Sequence, residues 1–321
     1  MFKFLFCCLI AIASSESLAW QPTGPIKVIV GQGPGGGNEL AMRGIAPIIE
    51  RNNPGVSFII ESRPGLDNVI AMNYFAEQKA DGQTILVTVT ETSFISAPVV
   101  YKSQIRVSPN EYVPVTMIAR SPMAFIVPIN SPIKTVPDLV AYLKDKTHKF
   151  NVGLSGSTNL LAYSYFINKL KLDPVRIQAI NYNSPLAAAL GVASKDLDMA
   201  IVSISSPKAL IGTKVRLLAY TGNHAIPGLE EFPLMKQYVP GLSINASWSV
   251  FLPPGTPPDI TAWYNEQFKQ ALTTTEARGY FYSNWASIDS NAVGSQGLVN
   301  NITLLKQQWS NIADQVLIEK K

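Results

Sequence analysis

The sequence predicts an α/β protein in which two α/β lobes enclose a ligand cleft. Three features of the 321-residue chain lead to this prediction. Short β-type runs alternate with amphipathic helical stretches, the alternation occurs in two separate sets, and polar segments follow many of the β-type runs. Because strands that alternate with helices form parallel sheets, each set should build one lobe. Ligands of such sheets bind at the carboxyl ends of the strands, so a cleft between the lobes is the expected site.

The first set has the order strand, helix, strand, helix, strand. Its strands are predicted at 26–30, 57–61 and 84–90, and its helices at about 38–51 and 67–79. Asp67 or Asn68 is expected to cap the second helix. Three strands make a small sheet, so the chain after about residue 222 should return to complete it.

The second set begins near residue 121. Its strands are predicted at 123–128, 150–153, 177–182, 198–203 and 215–221. Thr135 and Asp138 have the spacing of a capping box, and Thr158 and Pro185 open further helices. A stretch rich in proline and glycine follows, and then a strand at 246–251 and helices at 258–272 and 295–319. The predicted lobes are therefore 20–121 with 223–321, and 122–222, each with its own core.

The first 19 residues have the layout of a secretory signal peptide. Lys3 precedes a short apolar core, and small residues lead to Ala19, after which we expect cleavage. The apolar core is shorter than the roughly 20 residues that cross a bilayer. Cleavage removes Cys7 and Cys8, the two cysteines of the chain, so the mature protein has no disulfide. We expect a soluble periplasmic protein.

The composition excludes two classes of protein. Charged residues make up 15% of the chain and hydrophobic residues 47%, whereas charged residues are roughly 25% of an average soluble domain. A chain with this balance folds and is not intrinsically disordered. The formal net charge is only +4 and no long basic run occurs, so we expect no nucleic-acid partner.

A glycine-rich segment after the first predicted strand indicates an anion site. Its backbone N–H groups precede a helix, whose N-terminal dipole favours negative charge. The candidate residues are Gly35, Gly36, Gly37 and Asn38. The segment also matches the dinucleotide-binding pattern GxGxxG from Gly31 to Gly36, and a plain tight turn would use the same glycines. Pro34 stiffens the loop and an exported protein has no obvious NAD supply, which favours the anion site.

Polar side chains at the other strand ends complete the predicted cleft. Helix capping explains each of them singly, but together they indicate a polar site. The candidates are Thr90, Thr92, Ser93, Ser155, Ser157, Thr158, Asn159, Tyr182, Asn183 and Ser205. Trp248 is either a core residue or a wall of the cleft.

The alternative to a ligand-binding protein is a secreted serine hydrolase that uses Ser155 as its nucleophile. Residues 153–157 read GLSGS, which departs from the nucleophile elbow GxSxG at its last position, Ser157. A serine hydrolase also needs a histidine base. The two histidines, His148 and His224, both lie in polar segments and are expected at the surface. We therefore expect no catalysis, no cofactor and no metal.

Seven segments in chain order resemble the Bug (Bordetella uptake gene) family, the substrate-binding receptors of tripartite tricarboxylate transporters. The first contains GPGGGNELAMR and the last reads SWSVFLPPGTP. The segments are 20–43, 61–65, 80–86, 131–139, 196–199, 215–221 and 247–257, and they span nearly the whole predicted mature chain.

The resemblance implies a type II periplasmic-binding-protein fold and a monomer without catalysis. It implies capture of a small carboxylate, such as a di- or tricarboxylate, an amino acid or a related organic acid, and delivery to a membrane permease. It also implies that two loops hold the ligand carboxylate, namely 35–38 and 155–159. A sensory receptor that docks on a membrane kinase would share this fold and cleft.

The chain departs from the family at several loop positions. Asn38-Glu39 stands where the family often has Thr-Asp, residues 64–68 read PGLDN in place of a glycine-rich loop, and Asn183 replaces a lysine. Asp67 and Glu91 add negative charge near the expected cleft. These departures favour a ligand that carries an amine as well as a carboxylate, or one with less negative charge.

Overall fold

The computed structural model describes residues 20–145, 147–223 and 226–317. The predicted signal peptide, its cleavage point, Cys7, Cys8 and His224 lie outside the described residues. The strands are β1 (Ile26–Val30), β2 (Phe58–Ser62), β3 (Thr84–Val89), β4 (Val113–Pro128), β5 (Phe150–Leu154), β6 (Ile177–Asn181), β7 (Met199–Ser203), β8 (Val215–Tyr220) and β9 (Asn245–Leu252). The α-helices are α1 (Gly37–Asn52), α2 (Val69–Ala76), α3 (Ala97–Val100), α4 (Val136–Lys144), α5 (Ser157–Lys169), α6 (Pro185–Ala193), α7 (Pro258–Thr273), α8 (Thr275–Ser283) and α9 (Gly294–Leu317).

The strand pairing confirms the predicted α/β architecture. β1 pairs in parallel with β2 and β3, and β5 pairs in parallel with β6 and β7. β9 is the returning strand that the sequence predicts, and it pairs antiparallel with β3 and β4. The order across the sheet is β2-β1-β3-β9-β4-β7-β5-β6, with β8 paired to β4.

β4 joins two groups of strands. Its residues 113–122 pair with β9, and its residues 123–128 pair with β7 and β8. We call β1, β2, β3, β9 and residues 113–122 the first strand group, and β5 to β8 with residues 123–128 the second strand group. The lobe boundaries inferred from the sequence stay a prediction.

The sequence prediction missed residues 113–122 of β4. Prolines within a run argue against a central strand, because they cannot donate to the ladder. In the structure Pro114 lies beside a register shift, and Pro122 lies where β4 changes partners. Each proline therefore occupies a place where regular pairing is already interrupted.

The prediction of one separate core for each lobe is wrong. The largest apolar cluster runs through both strand groups, from Val28 and Ile85 to Phe125 and Phe166. A smaller cluster around Val202 packs within the second group. The shared β4 and the packing of α5 on α9, where the rings of Tyr165 and Trp309 lie 5.9 Å apart, make the large core continuous.

Several helix ends follow local sequence rules. The capping box of α4 is confirmed, with Asp138 N–H donating to Thr135 Oγ1 at 3.2 Å and Thr135 N–H donating to Asp138 Oδ2 at 2.9 Å. Pro185 opens α6 as predicted. α8 was not predicted, although Thr274 caps it by accepting from Ala277 N–H. Among the described helices, none has the length and apolarity needed to span a bilayer.

Candidate functional site

The carboxyl ends of both sets of parallel strands meet around two small cavities. The segments after β1, β2 and β3 line them from the first strand group, and the segments after β5, β6 and β7 from the second. Both cavities share Gln32, Asp67 and Ser155. The Trp248 cavity, about 20 Å³, is also lined by Gly37, Val89, Thr92, Met123, Thr158, Asn159, Pro185, Ser203, Ala246 and Trp248. The Tyr182 cavity, about 70 Å³, is also lined by Gly31, Pro64, Gly65, Leu66, Asn68, Gly156, Asn181, Tyr182 and Asn183.

Gly37 is the residue of the glycine-rich loop that lines the Trp248 cavity. Gly35 N–H donates to Glu39 Oε2 at 2.9 Å, and this bond lowers the pKa of the Glu39 carboxyl, with Arg43 adding to the effect. Gly36 N–H donates to Gly33 O at 3.0 Å. Fewer backbone N–H groups than predicted are therefore available to a ligand, because those of Gly35 and Gly36 already donate within the loop and to Glu39.

Asn38 and Trp248 show how tightly this first turn of α1 is packed. Asn38 N–H donates to Gln32 Oε1 at 3.2 Å, and the Asn38 side chain is fully buried with no hydrogen-bond partner for its amide in the described part of the chain. A Cβ at Gly37 would overlap the indole ring of Trp248. Trp248 is both a core residue and a cavity wall.

The segment after β5, which includes the first turn of α5, contributes three predicted residues to the cavities. Ser155 lines both of them, and Thr158 and Asn159 line the Trp248 cavity. Asn159 Nδ2 donates to Ile201 O at 2.9 Å, which fixes the amide. The predicted Tyr182 and Asn183 line the Tyr182 cavity.

Three hydrogen bonds connect the two strand groups beside the cavities. Thr92 Oγ1 and Thr158 Oγ1 lie 2.7 Å apart, and Ser96 Oγ and Ser157 Oγ lie 2.5 Å apart. Ser157 N–H donates to Asp67 Oδ2 at 2.7 Å. The residues Thr92 and Ser96 belong to a π-helical turn, Thr92–Ser96, which follows β3. These bonds join the segments after β2 and β3 to the first turn of α5.

Other predicted site residues lie in the surrounding framework. Thr90 Oγ1 lies 2.7 Å from Ser249 Oγ, Ser93 Oγ lies 2.9 Å from Thr88 Oγ1, and Ser205 Oγ lies 2.7 Å from Ser121 Oγ. None of Thr90, Ser93 and Ser205 lines either cavity. Their hydroxyls pair with those of Ser249, Thr88 and Ser121 in the buried framework behind the cavity walls.

Ser203, Gln32 and Met123 line the Trp248 cavity but were not predicted. The Ser203 side chain is 5% exposed, and its hydroxyl has no hydrogen-bond partner among the described residues. Ser203 is the last residue of β7. The expectation that polar residues at strand ends line the cleft, which selected Ser205, therefore pointed to the right segment. This expectation does not say which serine of that segment faces the cavity.

Asp67 and Glu91 have different positions. Asp67 lines both cavities and does not cap α2, so the predicted cap is wrong; Asn68, the N-cap residue, makes no side-chain cap bond either. Burial raises the pKa of Asp67, and its bonds with Ser157 oppose that shift. Glu91 is 1% exposed and accepts from Ser247 N–H at 2.8 Å and Ser247 Oγ at 2.7 Å.

Burial also raises the pKa of Glu91 to about 7, against the bonds from Ser247 and the charge of Arg120. Glu91 does not line either cavity. Its carboxyl instead joins the end of β3 to β9 behind the site.

No histidine among the described residues bonds to the hydroxyl of Ser155. Its hydroxyl donates to Asn159 Oδ1 at 3.5 Å, and an amide is not a base. His148 is exposed, as predicted, and its ring stacks on Tyr142 with centroids 5.2 Å apart. Apart from the Asp67 carboxylate, the described cavity walls offer neutral donors and acceptors.

Comparison with known proteins gives one family and one fold. The profile of the family described as tripartite tricarboxylate transporter family receptor matches residues 48–316. A protein of Bordetella pertussis from the group named UPF0065 is 28% identical over 282 residues, which cover 86% of this chain and 85% of that protein.

Two solved structures share the fold. The periplasmic binding protein BugD is 19% identical with a TM-score of 0.84, covering 92% of this chain and 98% of its own. The R. palustris protein Rpa4515, solved with adipate, is 24% identical with a TM-score of 0.84 and the same coverage of 92% and 98%. These likenesses confirm the predicted periplasmic-binding-protein fold.

Proposed function

The chain belongs to the tripartite tricarboxylate transporter receptor family, and on that premise we propose that it captures a small carboxylate and delivers it to a membrane permease. The observation that carries this proposal is the position of the two cavities. They lie between the carboxyl ends of two sets of parallel strands, where α/β proteins bind ligands. The related structure with adipate supports a carboxylate as the ligand class.

The donors at the site suit reversible binding of one carboxylate. α1 begins at Gly37 beside Trp248, and the N-terminal end of a helix favours an anion. Apart from the carboxylate of Asp67, the remaining walls are hydroxyls, amides and apolar groups, among them Ser155, Asn159 and Ser203. Since the described walls include no lysine or arginine, the carboxylate is held by neutral donors and is released readily.

The proposed mechanism is closure of the two strand groups around the ligand. The cavities of about 20 and 70 Å³ have room for no more than a few water molecules. The bonds Thr92–Thr158, Ser96–Ser157 and Asp67–Ser157 must therefore open for a ligand to enter. A ligand that contacts both groups then favours the closed form, which the permease would recognise.

The same proposal places the mature protein in the periplasm as a monomeric receptor without enzymatic activity. The related BugD is a periplasmic binding protein, and residues 1–19 have the composition of a cleaved leader. Trp20, the first described residue, packs on Trp263 with ring centroids 5.4 Å apart. The mass of protein recovered from a periplasmic extract should correspond to a chain that begins at Trp20.

A thermal-shift screen tests the proposed binding function. The protein is stripped of carried-over ligand by unfolding and refolding, and then heated with mono-, di- and tricarboxylates and amino acids. A ligand at 100 times its Kd adds about 2.7 kcal/mol to stability, which raises the Tm by several degrees. The methyl ester of each active compound is the control and should give no shift. If no carboxylate raises the Tm of folded, stripped protein, the proposed function is wrong.

A further inference from the structure

Asp67 caps a helix of the other strand group. Its carboxylate follows β2, yet Oδ2 accepts from the N–H of Ser157, the first residue of α5, at 2.7 Å. Gly156, with φ of 98°, lets the carboxylate approach, because a Cβ there would overlap Asp67 Oδ1. An anion thus already lies at the N-terminus of α5, and it belongs to the protein.

The backbone around Asp67 holds this position at a conformational cost. Leu66, Asp67 and Asn68 have φ of 43°, 53° and 72°, three successive non-glycine residues in the left-handed region. Such conformations persist where the surrounding structure enforces them. Here the three left-handed residues direct the Asp67 carboxylate to the N-terminus of α5, and the carboxylate does not cap α2.

The charge of Asp67 has no cation to balance it within the described structure. None of the ion pairs among the described residues includes Asp67. No described lysine, arginine or histidine lines the Trp248 cavity or the Tyr182 cavity. Apart from the phenol of Tyr182, Asp67 is the sole ionisable side chain among the described residues of their walls. A second ligand carboxylate placed here would meet a like charge at a helix end that is already capped.

Two residues that line the cavities together with Asp67 carry a buried oxygen without a partner among the described residues. Ser203, which is 5% exposed, lines the Trp248 cavity, and its Oγ is unpaired. Asn68, which is 3% exposed, lines the Tyr182 cavity, and its Oδ1 is unpaired. Asp67 lines both cavities. An ammonium group has three N–H donors and no acceptor, so it matches cavity walls that offer a carboxylate and further oxygens without donors.

We propose that the ligand is a small amino carboxylate, bound with its carboxylate at the first turn of α1 beside Gly37 and its ammonium group on Asp67. This inference rests on the proposed carboxylate-binding function and narrows its ligand class. Asp67 acts as a specificity-determining residue. Its carboxylate already occupies the N-terminus of α5, so a second ligand carboxylate would be repelled there and an ammonium group would be attracted.

Calorimetric titration of stripped protein with ligand pairs of equal length tests this assignment. The pairs are 3-aminopropanoate against malonate, 4-aminobutanoate against succinate, and 6-aminohexanoate against adipate. Propanoate, butanoate and hexanoate are the matching carboxylates that lack the amine. We expect at least one amino carboxylate to bind ten times or more tighter than its dicarboxylate partner and than the plain monocarboxylate.

Asp67→Asn removes the charge and keeps an oxygen for Ser157 N–H, so the variant should fold. The preference for the amine should fall by tenfold or more in Asp67→Asn, and dicarboxylates should bind better than to the wild type. The matched control is Asp198→Asn, since Asp198 is also partly buried and also accepts one backbone N–H at 2.7 Å, from Asn151. Its Kd values should equal those of the wild type.

The outcomes separate the two proposals. If a dicarboxylate binds the wild type as tightly as its amino partner, or if Asp67→Asn keeps the amine preference, the role of Asp67 is wrong while carboxylate binding stands. If none of these compounds and none of the wider carboxylate screen binds, the receptor function itself is wrong. A thermal melt of each variant shows that it is folded at the temperature of titration.

Discussion

Gly37 is the point where the first turn of α1 meets the indole ring of Trp248. Because a Cβ would overlap that ring, Gly37→Ala should force Trp248 to move within a fully buried site. We expect a loss of about 1–3 kcal/mol in the free energy of unfolding and at least tenfold weaker carboxylate binding. Urea denaturation and calorimetric titration measure the two effects.

Gly279→Ala is the control for this substitution. Gly279 lies inside α8, and a Cβ there would meet no atom within 4 Å. The exchange should leave binding unchanged and raise stability by about 0.5–1 kcal/mol, because alanine is the better helix former. Wild-type affinity in Gly37→Ala would show that the first turn of α1 is not part of the site.

Glu91 makes stability depend on pH. Burial holds its pKa at about 7, above the ordinary value of 4.5, so the folded protein keeps a proton that the unfolded chain releases between these values. This contribution to stability is complete below about pH 4.5 and is lost as the pH rises through 7. The loss is on the order of 3 kcal/mol.

Glu91→Gln should abolish this part of the pH dependence, since glutamine is neutral at every pH. Urea denaturation at pH 5 and pH 8 gives the change in unfolding free energy for each protein. The decrease from pH 5 to pH 8 should be smaller in Glu91→Gln than in the wild type. Glu276→Gln, at an exposed ion pair with Arg51, should behave like the wild type. Equal pH dependence in wild type and Glu91→Gln would contradict the raised pKa.

At the scale of elements, the π-helical turn after β3 docks on α5. Its Thr92 hydroxyl lies 2.7 Å from that of Thr158, and both residues are buried. Thr92→Val or Thr158→Val leaves one buried hydroxyl without its partner, at a cost of about 1–3 kcal/mol each. The double variant should cost less than the sum of the single variants.

A double-mutant cycle in urea denaturation measures this coupling. We expect about 0.5–1.5 kcal/mol between Thr92 and Thr158. Thr92→Val combined with Thr273→Val, an exposed position at the last residue of α7, should be additive within about 0.5 kcal/mol. Additive costs for Thr92 and Thr158 would show that the contact between the turn and α5 contributes no energy.

Local patterns predicted most elements but not all. β1, α1, β5 and α5 lie within a residue or so of their predicted bounds, because alternating apolar runs and glycine-rich junctions mark them. The first part of β4 was missed because its prolines resemble breaks. α8 was missed because it is short and contains Gly279, so its apolar periodicity is weak.

The site was predictable at the level of segments and less so at the level of side chains. Parallel strands bring their carboxyl ends to one edge, and this rule selected the segments that line the cavities. It did not distinguish Ser203 from Ser205, because which residue faces the cavity depends on how each strand ends. Asp67 or Asn68 was expected to cap α2, since both residue types are common helix caps. The expectation failed because the sequence gives no sign that residues 66–68 adopt left-handed backbone conformations.

In the whole molecule, one core and one set of hydrogen bonds to α5 connect the two strand groups. The large apolar cluster passes through both strand groups, and β4 belongs to both. The proposed opening of the cleft would therefore have to bend the molecule at β4 and its neighbours while the core stays intact. The hydrogen bonds of Thr92, Ser96 and Asp67 with α5 are the contacts that opening has to break.

A crystal structure with the carboxylate that gives the largest thermal shift shows directly where the protein holds its ligand. We expect the ligand carboxylate at the first turn of α1, beside Gly37 and Trp248, with the rest of the ligand in contact with Ser155 and Ser203. A carboxylate bound elsewhere would contradict this expectation, most plainly one in the wide groove of about 570 Å³ beside Arg120.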